Sequence, residues 1–341
     1  MNLKGRRKST NVQDRRGSSG GGGGIDIGDI LGKIGRGGGS GGGNGGGGGG
    51  GLPMGQMPGC SPGGGGGKSG CMLIAIILIV LLVLLMCNGG GSLGNLLGSC
   101  GEGGFGDIFT GQVTDQNGKE YEPSAEEDSL YEFTLQILGS TEDVWTKEFQ
   151  KLGRTYNSPE LVIYSGRIQT GCGMGSSSTG PFYCSADRKV YIDLSFYDTM
   201  RRQLGAQGDF AWAYVIAHEV GHHVQNELGT LSKAHAKMSQ QSQTEANKTS
   251  VQIELQADFL AGLWGHDENE LFGSLEAGDL EEALSTAIVI GDDYLQKQAG
   301  YHNPQGYTHG TSKQREKWFK KGFETGDINQ GNTFAIPYDR L

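Results

Sequence analysis

An α+β fold over residues 107–341, with a few strands leading into a larger set of helices, is what this 341-residue sequence predicts. Two observations carry that prediction. The β-branched and aromatic runs Leu161 to Ile168 and Lys189 to Leu194 read as strands, and they precede a series of segments with helical apolar spacing. Strands gathered ahead of helices argue for α+β rather than a regular alternation. The second observation is where the glycines fall: 40 of the 64 precede Asp107. Such tracts cannot bury enough apolar surface to offset their ordering entropy. About 235 residues are left for the folded domain, enough for a proper core.

Taken in order, residues 1–70 form a basic, then glycine-rich segment expected to be disordered. Residues 71–87 follow as a continuous apolar run without a charge, Cys71 to Cys87. Its 17 residues lie at the short end of what a transmembrane helix needs, and glycine tracts on both sides offer nothing to pack against. Residues 88–106 are a glycine-rich linker. Residues 1–70 carry nine Lys and Arg against three Asp and Glu, a net of +6, and the remainder is strongly acidic. Basic residues favour the cytoplasmic side. The expectation is a single-pass membrane protein with its N-terminus cytoplasmic and residues 107–341 periplasmic or extracellular. The apolar run begins too far along the chain for an ordinary cleaved signal. The acidity of the folded part argues against a nucleic-acid partner.

Within the domain, Ser129 to Tyr156 reads as two helices broken near Gly139. The two strands follow, then helices through residues 209–223 and 251–264. Further helices are expected over Leu280 to Gln298 and over Lys313 to Thr325 after a Thr311/Ser312 cap. The Gln- and Ser-rich stretch Ser239 to Ser250 reads as a mobile loop.

The most specific chemistry lies in His218-Glu219-Val220-Gly221-His222. On a helix both histidines share one face and can aim a ring nitrogen at one point, which suits a zinc ion, with Glu219 beside it as a potential general base. The preceding apolar run Phe210 to Ala217 buries this helix, where unpaired polar groups cost roughly 2–7 kcal/mol. Gly221 makes sense if another segment must come close. A catalytic zinc takes three protein ligands, so a third is sought downstream. Ile253, Ala257, Leu260, Ala261 and Trp264 give the segment Val251 to Trp264 an apolar face, with Glu254 and Asp258 four apart on a neighbouring stripe. Glu254 is assigned to the metal. Asp258 is assigned to the second ring N–H of a ligating histidine, His218. His223 points away and is read as a packing or hydrogen-bonding residue.

Cys172 and Cys184 are the only cysteines of the folded part and bracket a Gly/Ser-rich loop. In an exported domain they suggest a disulfide worth roughly 2–4 kcal/mol; the alternative is a second metal site, with no other Cys or His nearby.

With the segments HEVGHHVQN and ELQADFLAG read, the chain resembles the bacterial putative neutral zinc metallopeptidase family, a gluzincin-type group. Lys4 to Gly17, Gly180 to Leu194 and His309 to Phe319 are similar to that family as well, so the resemblance covers nearly the whole chain. It implies a mostly helical, zincin-like (minimal gluzincin) domain with a small antiparallel sheet, tethered by one transmembrane helix. It also implies a Zn2+ cofactor and a peptide or protein substrate. An edge strand over the zinc cleft would pair with an extended peptide; Val190 to Leu194 is the candidate, and a plain core strand is the other reading. His309, in the family-like HGTS segment, is the candidate oxyanion donor, with Tyr307 and His302 as rivals and a helix-cap role as the alternative. The mechanism implied is hydrolysis by a zinc-activated water, with His218, His222 and Glu254 holding the metal and Glu219 moving the proton. The rival reading is a non-catalytic, zinc-stabilised binding or scaffold protein at the cell surface, which would have no need of Glu219. Substrate specificity and oligomeric state are not written in the sequence.

Overall fold

The computed structural model describes residues 1–17 and 121–341. Within them the fold is mostly helical around a small sheet. The sheet has the order β1-β2-β6-β5, built from β1 (Val12–Arg15), β2 (Glu160–Tyr164), β5 (Phe182–Cys184) and β6 (Lys189–Asp193). β1, β2 and β6 run parallel, and β5 alone is antiparallel. A separate hairpin pairs β3 (Arg167–Thr170) with β4 (Gly173–Ser176).

The small sheet is therefore mixed, not antiparallel as expected. Parallel neighbours need long crossovers, and α1 (Ala125–Lys151) lies between β1 and β2, while the hairpin and β5 intervene between β2 and β6. Strands covered on both faces read as continuous apolar runs. Leu161, Ile163, Val190 and Ile192 join the main core; Val162, Tyr164 and Tyr191 turn the other way, toward Ile168 and Cys184. The run Leu161 to Ile168 is divided by a turn at Ser165–Gly166, where Gly166 has a φ of +78°. Val190 to Leu194 is not an edge: β6 is flanked on both sides, and β1 and β5 are the edge strands.

Residues 1–17, expected to belong to a disordered arm, are folded onto the domain. Met1 and Leu3 enter the main core, the Ser9 N–H donates to the Leu135 carbonyl, and β1 completes one side of the sheet. The physical reason is charge and shape. Arg6 pairs with Asp143 and Glu268, Arg7 with Glu142 and Asp143, and Lys8 with Glu132. Gly139 does not break α1. A Cβ there would lie 2.8 Å from the Arg7 carbonyl oxygen, so the glycine admits the N-terminal segment against an unbroken helix.

The rest of the expected disordered segment, the apolar run 71–87 and the linker 88–106 lie outside the described residues. Among the described residues no helix is long and apolar enough to cross a membrane.

After β6 come a short helix, α2 (Ser195–Thr199), and a wider π turn at Met200–Leu204. Then α3 (Asp209–Glu227), α4 (Thr230–Met238) and α5 (Gln243–Phe272) build the centre. Ser242 caps α5 by accepting the Glu245 N–H, so most of Ser239 to Ser250 is ordered helix rather than loop. The expected helix over Leu280 to Gln298 is two, α6 (Asp279–Val289) and α7 (Asp292–Gln298). They part at Gly291, where a Cβ would fall 2.3 Å from the Ser312 nitrogen. The last helix, α8 (Ser312–Thr325), starts at a Thr311 cap closed by Gln314.

Candidate metal centre

The centre of the domain is the crossing of α3 over α5. Both helices are buried along nearly their whole length here. At the crossing, a Cβ on Gly221 would lie 3.0 Å from the Ala257 carbonyl oxygen, so the absence of a side chain lets the two backbones approach. That approach sets His218, Glu219 and His222 opposite Glu254 and Asp258, all of them buried.

The structure brings His218, His222 and Glu254 together: one ligand atom from each lies within 4.8 Å of the others. His218 Nε2 is 3.2 Å from Glu254 Oε2, and His222 Nε2 is 3.6 Å from Glu254 Oε1. Tetrahedral zinc, with ligands at about 2.0–2.1 Å, spaces them roughly 3.3 Å apart. Both the donor types and their spacing fit Zn2+. The other ring nitrogens are occupied. His218 Nδ1 lies 2.8 Å from Asp258 Oδ1, and His222 Nδ1 lies 3.0 Å from Gln225 Oε1. Partners of that kind fix ring orientation and leave Nε2 for the metal.

Electrostatics favour the same arrangement. Burial alone would raise the Glu254 carboxyl, yet His222, His309 and hydrogen bonding hold it well below the usual carboxylate range. Burial likewise opposes ionisation of Asp258, and Arg315 and His218 overcome it. Arg315 grips Asp258 at two points, Nε to Oδ2 and Nη2 to Oδ1, both at 2.9 Å. Tyr214 donates to Asp258 Oδ1 at 2.6 Å. Burial raises the Glu219 carboxyl, as desolvation does for a group not paired to a cation, and the neighbouring histidines only partly offset it.

A cleft partly open to solvent reaches this cluster. Glu219 and His309 line it beside the three clustered side chains, and its far wall is apolar: Phe182, Phe196, Met200, Leu204, Ile290 and Leu295. His309 is held by its backbone. Asp292 Oδ2 accepts the N–H groups of Thr308, His309 and Gly310 at 2.7, 2.7 and 3.0 Å. Burial would lower the His309 pKa, but Glu254 and Asp292 raise it above its ordinary value. Tyr307 and His302 pack against each other, 6.5 Å between ring centres, and neither lines the cleft. His223 faces the sheet instead, bonding Tyr183 and the Asn157 carbonyl. Cys172 and Cys184 form a disulfide that ties β5 to the hairpin loop.

Three residues of the centre, Tyr214, Gln225 and Arg315, were not anticipated from the sequence. Tyr214 is four residues before His218, so helical spacing would have found it. Gln225, three residues after His222 on the same helix, is open to the same argument; Arg315 gave no such sign. A buried arginine inside a basic helix looks like any solvated one. Asp209, Asp279 and Glu282 also converge, but the Met1 nitrogen donates to the two aspartates, so that acidic group has its partner.

Comparison with known proteins follows the same lines. The model of the family described as putative neutral zinc metallopeptidase matches residues 1–334. The uncharacterized protein YpfJ of Escherichia coli strain K12 is 54% identical over 229 residues, covering 67% of this chain and 79% of the relative. The uncharacterized protein Mb2605 of Mycobacterium bovis is 41% identical over 191 residues, covering 53% of this chain and 64% of that one. No solved structure matches.

Proposed function

The chain belongs to the putative neutral zinc metallopeptidase family, and from that premise we propose that it hydrolyses peptide bonds. The observation that carries the proposal is a buried His–His–Glu donor set at the floor of a cleft, with a further carboxylate, Glu219, that none of the three needs. When bound, zinc supplies Lewis acidity, polarising a carbonyl oxygen and bringing the pKa of water to about 7. His218, His222 and Glu254 hold the ion, and Asp258 holds the ring of His218.

Glu219 takes the proton of the attacking water and returns it to the leaving amine. Its burial, which raises its proton affinity, suits a group that must do both. His309, anchored by Asp292 and biased toward its protonated form, donates to the oxygen on which negative charge develops. Losing such a donor costs roughly 10²–10³ in rate. The apolar wall of the cleft suits a substrate with an apolar side chain next to the scissile bond.

The apolar run Cys71 to Cys87 supports membrane association, and the Cys172–Cys184 disulfide supports a metal domain outside the cytoplasm. The test is Glu219→Gln. Zinc content measured by elemental analysis should stay at the wild-type level while peptide cleavage falls to background. Cleavage at the wild-type rate by this variant would sink the mechanism. Zinc retained by a wild type that cleaves no member of a diverse peptide library would favour the scaffold reading instead.

A further inference from the structure

A single bilayer crossing at Cys71 to Cys87 would leave residues 1–17 on one face of the membrane and the metal domain on the other. The fold opposes that separation. β1 pairs with β2 over four residues, Val12 with Leu161 through Arg15 with Tyr164. Just before β1, the Asn11 carbonyl accepts the Leu161 N–H at 3.0 Å. Met1 and Leu3 are part of the domain's main core. The Arg7 carbonyl occupies the space that a side chain at Gly139 would fill. Arg6 pairs with Glu268, whose side chain is 0% exposed. Without Arg6, that charge would be buried without its cation, at a large cost.

The charge bias that argues for a cytoplasmic N-terminus has another explanation here. Arg6, Arg7 and Lys8 meet Glu132, Glu142 and Asp143 of α1, and Arg16 meets Asp14, with Glu127 close by. These cations complement an acidic helix of the same domain. Neutralised in this way, they lose much of their weight as a topology signal.

We infer that residues 1–17 and the metal domain occupy the same compartment. A run of 17 apolar residues has the length for one helical crossing and not for two. The inference is independent of the chemistry at the metal.

The test uses the full-length chain in spheroplasts, with Cys60, Cys71, Cys87 and Cys100 replaced by Ser to leave the disulfide as the only native pair. Lys4→Cys and Lys237→Cys, both at exposed positions, are introduced separately and treated with a membrane-impermeant maleimide before and after lysis. The expected result is that both positions behave alike, either both labelling in intact spheroplasts or both only after lysis, with yields within about twofold. Labelling of one position in intact spheroplasts, with the other reached only after lysis, would overturn the inference. Thr10→Cys, also exposed, repeats the N-terminal measurement at a second site, so a local loss of reactivity at residue 4 does not decide the outcome.

Discussion

Asp258 shows how far a single buried carboxylate reaches. It accepts from His218, Tyr214 and Arg315 and is 0% exposed. Asp258→Asn keeps the shape but loses the charge that Arg315 and His218 require. Zinc affinity should fall about 10–100-fold, measured by competition with a chromogenic chelator, and affinity equal to the wild type would refute the positioning role. Asp267 makes a different point. Burial and the neighbouring Glu148 carboxyl raise its pKa from an ordinary 3.8 to about 6. A carboxyl that binds its proton more tightly when folded contributes no penalty below about pH 4. It becomes destabilising as pH rises through 4 to 6. Asp267→Asn should therefore raise Tm at pH 8 by about 2–4 °C for each kcal/mol regained and change it little at pH 4; calorimetry at the two pH values checks this. The pairs 218/222 and 254/258 were legible because four-residue spacing encodes a shared helical face. Arg315 was not, because nothing local distinguishes a buried cation from a solvated one.

Helices were easier to read than the strands and breaks between them. The cap at Thr311 and the apolar stripe of α5 follow from local rules, whereas the Ser242 cap was hidden in a stretch that reads as a loop, and the glycines misled those rules. Gly139 and Gly291 look alike as interruptions. One lies inside a continuous helix because the N-terminal segment presses on it, and the other ends a helix under Ser312. Both outcomes depend on a partner remote in sequence. The β5 edge of the sheet was hidden for the same reason, since β5 has only three residues and its position depends on the strand beside it. The close contact between α5 and α8 is also built on glycine. A Cβ on Gly262 would fall 2.0 Å from the Phe319 carbonyl oxygen, and one on Gly322 would fall 2.0 Å from that of Phe259. Backbone atoms cannot yield as a flexible side chain does, so α5 and α8 must move apart. Gly262→Ala should cost about 1–3 kcal/mol or more in urea unfolding. Because α8 carries Arg315, it should weaken zinc binding as well. A variant with wild-type stability and zinc affinity would show that the contact is looser than described.

At the scale of the molecule, the domain does not begin where the glycine tracts end. Residues 1–17 are separated from α1 by more than a hundred positions, and composition alone made them part of a basic tail. Their place in the sheet depends on pairing between distant segments, which single-sequence periodicity does not report. The consequence is a prediction about truncation. A fragment of residues 107–341 lacks β1, so the backbone of β2 loses its partner on that side, at Leu161 to Tyr164. It lacks Met1 and Leu3, and removing a buried Leu or Met side chain typically costs about 2–5 kcal/mol. It also leaves Glu268 buried without Arg6, and breaking a buried pair costs about 3–5 kcal/mol. Set against a total stability of about 5–15 kcal/mol for a typical domain, these losses approach the whole. The fragment should therefore aggregate or unfold well below the full chain's transition. A synthetic peptide of residues 1–17 added in trans should raise its Tm in a concentration-dependent way, because a ligand that binds only the folded state stabilises it by mass action. If the fragment melts with the full chain and ignores the peptide, residues 1–17 are a passenger and the compartment argument built on them loses its main support.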